Sequence, residues 1–154
     1  MLESITPALN LLTTLAKAMD WFTDLRKQTR GDVRALIEEL KENSRLCFRV
    51  VADGVAPGEV IPRFSTATFD RLNESGFDFN AVRRCDIPNF EGMEKTDLAS
   101  WAGKSTQELI ENIYDKIKDL RSLHALSAQQ NRRFGPRIIN IHKRILLLLR
   151  HVRG

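Results

Sequence analysis

The chain has 154 residues, 24 of them Lys or Arg and 20 Asp or Glu, with 42% apolar positions, 8 Gly and 5 Pro. This composition fits one ordinary folded domain over residues 1–154, able to bury roughly two-thirds of its unfolded surface without a disulfide or metal. Cys47 and Cys85 are too few for a disulfide scaffold and stand in no metal-ligand spacing, so free, buried thiols are expected, with no metal and no cofactor.

Glu3, Lys17 and Asp20 interrupt the apolar stretch near the N-terminus, a pattern unlike a secretory signal. The longest unbroken apolar run, Ile145 to Leu149, is five residues, against the roughly 20 of a membrane span. A cytoplasmic protein with no membrane span is therefore expected. Charge is divided unevenly. Beyond Asp119 there is no acid, and Arg121, Arg132, Arg133, Arg137, Lys143, Arg144, Arg150 and Arg153 make that end strongly basic, with all three histidines, while residues 1–119 carry a net −4. Such asymmetry suits an acidic partner, or equally a surface that pairs with acids elsewhere in the fold.

Thr6-Pro7 offers an N-cap hydroxyl and a proline at the first helical position. Apolar residues from Ile5 through Leu9, Leu12, Ala16, Met19 and Phe22 continue in phase to Val33, Leu36, Leu40, Cys47 and Val51. That continuity predicts one helix from Pro7 to Ala52, on the order of 65 to 70 Å long. A break at Gly31 is the competing reading, because Thr29-Arg30-Gly31-Asp32 loosely matches a capping box. Gly54, Pro57, Gly58 and Pro62 then mark a loop. Short helices follow, capped by Ser65 and ended at Gly76, capped by Asp78, and capped by Thr96 with Gly103 as the residue after the last turn. Ser105-Thr106-Gln107-Glu108 is a capping box that opens a long helix to about Gln130. Gly135-Pro136 implies a turn or kink, and the last helix, Arg137 to Val152, is apolar around more than half its circumference and so the most enclosed element. No segment alternates as a strand does. The expected fold class is an all-α helical bundle with a long N-terminal helix, short bridging helices and a basic C-terminal helix.

Arg137-Ile138-Ile139-Asn140-Ile141-His142 places four residues between an arginine and a histidine. The spacing resembles the arginine–histidine motif of HEPN-type nucleases, which tolerates four to six. Arg144 and His151 repeat it with six. The resemblance implies a small, usually dimeric helical bundle that cleaves RNA without metal. Its histidine, here His142, would act on the ribose 2′-hydroxyl proton and its arginine, here Arg137, on phosphate charge. An imidazole transfers protons near neutral pH and a guanidinium binds phosphate bidentately, so the residue types suit that chemistry. The competing reading makes His142 a core residue, because Ile138, His142, Ile145, Leu149 and Val152 share one helical face.

The acidic pairs Glu38/Glu39, Glu108/Glu111 and Asp115/Asp119 read as solvated faces, since no Glu-x-x-His pattern accompanies them. Gly103-Lys104-Ser105 lacks the earlier glycine and the strand of a phosphate loop. The leading expectation is a helical protein-interaction or regulatory module acting by self-association, as a homodimer, and by partner binding. Arg132, Arg133, Lys143, Arg144 and Arg150 are its candidate contacts to an acidic partner or RNA. An RNA-cleaving or RNA-binding bundle using Arg137 and His142 is the alternative, and membrane perturbation by the amphipathic stretch from Ile5 to Leu25 ranks third.

Overall fold

A succession of helices, with no strand, makes up the computed structural model over the residues it describes, 15–29, 31–126 and 133–154. The α-helices are α1 (Leu15–Gln28), α2 (Gly31–Val51), the single turn α3 (Pro57–Val60), α4 (Ala67–Glu74), α5 (Thr106–Leu126) and α6 (Gly135–Arg153). Short 3-10 turns over Ile61–Arg63, Phe79–Ala81, Met93–Lys95 and Ala99–Trp101 bridge the middle. No described helix is long and apolar enough to cross a membrane.

The last helix is the centre of the bundle. Ile138, Ile141, Ile145 and the four leucines 146–149 are all buried, and five consecutive buried positions require neighbours on every side of a helix. Those neighbours are α2, α5 and α1, each packed against α6. Pro136 stands in the first turn of α6, where its missing N–H breaks no bond, so Gly135-Pro136 starts a helix that turns back onto α5.

The first helical region differs from the expectation of one helix from Pro7 to Ala52. Residues 7–14 lie outside the described residues, and the remainder is two helices packed on each other, α1 and α2, divided at Gly31. Gly31 has φ +64°, a left-handed conformation that only glycine adopts without steric cost. The Thr29 hydroxyl donates to the Leu25 carbonyl at 2.7 Å, so it closes α1 and does not cap α2. Phase continuity could not reveal this break. Both apolar stripes face the same core, with Phe22 and Leu25 of α1 and Leu36, Ile37 and Leu40 of α2 all buried, whichever way the chain runs.

Local caps follow the sequence closely. Ser105 N–H donates to the Glu108 carboxylate at 2.7 Å and Glu108 N–H to Ser105 Oγ at 3.2 Å, the two halves of a capping box. Asp78 accepts from Asn80 N–H, and Thr96 Oγ1 from Leu98 N–H. The cap of α4 is different. Ser65 Oγ accepts from Ala67 N–H only at 3.4 Å, while the buried Glu39 carboxylate of α2 accepts from Thr68 and Phe69 N–H. Glu39 is thus a structural anchor, a correction to the solvated face expected for Glu38 and Glu39. Cys47 is buried as expected, whereas Cys85 is exposed in the irregular segment before α5, where Arg83 Nε donates to its sulfur at 3.3 Å.

Candidate functional site

Arg137 and His142 are five residues apart on α6, which separates their directions by about 140°. Arg137 is exposed and lines a cleft of about 100 Å³ between α5 and α6 with Lys116, Asp119, Asn140 and Ile141. His142 faces α2 and is 1% exposed, with its Nε2 3.3 Å from Ser44 Oγ and its ring edge-on to Phe48. Burial pushes the imidazole pKa down to about 4, so it is neutral at physiological pH. The structure therefore does not bring the two residues to one open surface. Their placement matches the core reading of His142.

The second pair at nuclease spacing, Arg144 and His151, shares one side of α6, but its histidine is enclosed as well. His151 is buried against α5, its Nε2 2.8 Å from Thr106 Oγ1, and burial lowers its pKa. Because the Thr106 hydroxyl donates to the Arg83 carbonyl, it accepts from His151, which fixes the proton on Nε2. Arg144 lies on the same side of α6 two turns earlier, about 10 Å along the axis, so here it is the enclosure of the histidine and not its direction that sets the pair apart from an open site.

The basic residues singled out in the sequence are distributed around α6. Lys143 and Arg144 have side chains 12% and 13% exposed and share Asp97, with Lys143 Nζ 3.3 Å and Arg144 Nη1 3.9 Å from its carboxylate. Arg144 also donates to the Asn140 carbonyl at 3.0 Å. The Arg150 guanidinium stacks over the Phe90 ring at 4.9 Å, and that of Arg153 over Trp21 at 4.2 Å. Arg133 is exposed, and Arg132 lies outside the described residues. Much of the basic end thus ties bridging segments and α1 to the central helix.

Three cations nevertheless converge. Burial lowers the pKa of Lys116, and the charges of Arg144 and Arg137 lower it further against the opposing Asp119 and Asp97. Lys116 is therefore close enough to both arginines to feel repulsion that the two acids do not cancel. Lys116 and Arg137 line the groove between α5 and α6 with Arg144 close by, and a carboxylate or phosphate entering it would relieve that repulsion. Lys116 and Asp97 were not singled out in the sequence as site residues. Only the packing of α5 and the bridging segment against α6 puts them beside Arg137 and Arg144.

Among the described residues, no group of three or more His, Cys, Asp or Glu side chains is arranged to hold a metal ion. Asp115 and Asp119 are exposed, and Glu111 accepts from the Gln107 side chain at 3.0 Å. Compared with protein-family models, with curated proteins and with solved structures, the chain matches none.

Proposed function

We propose that this chain is a cytoplasmic helical interaction module that engages an acidic segment of another protein along the groove between α5 and α6. One observation supports this reading above others: Lys116 and Arg137 line a narrow cleft with Asp119, and Arg144, held at Asp97, stands close enough to add its charge to theirs. Rim charges of this kind steer a partner and set its register more than they set affinity. The partly buried Arg144 is held in place by Asp97 and the Asn140 carbonyl. A free, buried Cys47 thiol accords with a reducing compartment.

The described part of the first helical region is two helices packed on α6 and not one long one, so partner binding more than self-association carries the proposal. RNA is the other acidic polymer to consider, but the cleft is lined by Lys116, Asp119, Arg137, Asn140 and Ile141, none of which offers an aromatic ring on which a base would stack.

The test is fluorescence anisotropy with a labelled Glu-rich peptide, a single-stranded RNA of equal length as competitor, and the double variant Lys116→Glu/Arg137→Glu. Peptide binding that weakens with salt and disappears in the double variant is the expected result. RNA displacing the peptide completely at equal concentration would transfer the groove to nucleic acid. Binding of neither ligand at low salt would remove the reading. Sedimentation velocity on the same samples reports whether the module also pairs with itself.

A further inference from the structure

We infer that a second cleft, on the other side of α5, is a binding site for a small phosphate monoester. This cleft lies between α5 and the segment 57–66 and measures about 640 Å³, within the size range of small-molecule sites. Lys118, Arg121, Ser122 and His124 of α5 line it, with Thr66 opposite. Residues 116 and 118 point about 200° apart around a helix, so this cleft is separate from the groove that holds Lys116.

The polar groups are already oriented. Asp70 is the hinge of the arrangement: Lys118 Nζ donates to its Oδ1, and the Thr66 hydroxyl donates to its Oδ2 at 2.9 Å. Having given its proton to Asp70, the Thr66 oxygen accepts from Arg121 Nη1 at 3.4 Å. That bond uses one of the five donors of the guanidinium. Lys118 is further held over the Phe69 ring at 5.3 Å. The His124 ring is set edge-on to Phe134 at 5.6 Å. Two cations one turn apart, a hydroxyl and an imidazole thus border one space.

Charge and shape select the ligand. Lys118 and Arg121 against Asp70 leave one uncompensated positive charge. A phosphate monoester brings about −1.5 to −2 and three acceptor oxygens, whereas a carboxylate brings a single charge and two. Ile61, Pro62 and Ala125 complete the lining and offer apolar contact to the group that carries the phosphate. The site therefore favours a monoester with a compact apolar body over inorganic phosphate.

The experiment is an NMR titration of the full chain with phenyl phosphate at constant ionic strength, with inorganic phosphate and benzoate in parallel arms. Saturable shifts confined to residues 61–66 and 118–125 are expected, with phenyl phosphate the tightest of the three. Arg121→Gln should weaken binding at least tenfold with an unchanged circular dichroism spectrum, while Arg137→Gln, in the other groove, should not alter it. Ser122→Ala provides a second, milder variant expected to weaken binding, and decides the matter if Arg121→Gln fails to fold. The proposal is overturned if benzoate binds as well as phenyl phosphate, if no titration saturates by millimolar concentration, if the folded Arg121→Gln protein binds as tightly as the parent, or if Arg137→Gln loses as much affinity.

Discussion

The carboxylate of Glu39, in the middle of α2, accepts the backbone N–H of Phe69, thirty residues further along the chain, at 3.1 Å. Its second oxygen accepts from Thr68 N–H at 2.8 Å and from the Ser65 hydroxyl at 2.9 Å. One turn further on, Asn43 holds the Ser65 backbone at both ends, receiving its N–H at 3.0 Å and donating to its carbonyl at 2.8 Å. Glu39 thus satisfies the first turn of α4, whose own N-cap, Thr66, makes no side-chain cap bond, and Asn43 fixes the residue that leads into it. Replacing Glu39 by alanine strands these donors in a buried setting. Urea denaturation should show a loss of about 2–4 kcal/mol, since bonds to a charged acceptor contribute about 1.5–3 kcal/mol each and are not additive. Glu39→Gln keeps one acceptor oxygen and should recover part of that loss.

The contrast with Ser105 shows what a sequence can reveal. The Ser105/Glu108 box, the Asp78 cap and the Thr96 cap each lie within a few consecutive residues, so local rules suffice to locate them. The enclosed character of α6 was legible too, because a helix apolar on most of its circumference must be surrounded. Glu39 was not, since its donors are 29 and 30 residues away and an acid beside another acid looks like a wet face. The same holds for the candidate groove. Arg137 and Arg144 are visible in the basic tail, but Lys116 joins them only through the packing of α5 on α6.

Gly31 makes the division of α1 from α2 testable. A Cβ there would meet nothing within 4 Å, so the cost of Gly31→Ala is the left-handed φ of +64° alone. That cost is roughly 1–2 kcal/mol, measurable as a lower thermal midpoint. Gly58 is the control. It has no left-handed φ, and a Cβ there would meet only His124 Nε2 at 3.5 Å, an ordinary contact, so Gly58→Ala should leave the midpoint unchanged or slightly higher.

The two thiols should differ sharply in reactivity. Cys47 is completely buried, and burial pushes its thiol pKa far above the ordinary value, which suppresses the nucleophilic thiolate. Cys85 is exposed. A disulfide reagent should therefore titrate one thiol per native chain and two in denaturant. Rapid labelling of both in the native protein would contradict the buried position of Cys47.

Neutral His142 ties the stability of the bundle to pH. Its pKa falls from 6.5 in the unfolded chain to about 4 in the folded one because burial disfavours the charged ring. Between these values the unfolded state binds the extra proton, so stability is complete above about pH 6.5 and declines as pH falls toward 4. A shift of this size corresponds to a loss of about 3 kcal/mol. His151, also lowered by burial, acts in the same direction from the same upper limit. Glu108, whose pKa is lowered by the Ser105 backbone and hydroxyl, adds stability that is complete above its ordinary 4.5 and begins to be lost only below it. Urea midpoints measured from pH 7.5 to 4.5 should therefore fall in the parent and less steeply in His142→Gln, the residual slope belonging to His151. The same variant bears on the nuclease alternative. A ring 1% exposed and neutral has no access to a ribose hydroxyl, so labelled RNA incubated with the parent protein in EDTA should remain uncut. Cleavage abolished by His142→Gln in a protein that still folds would require α6 to expose that ring.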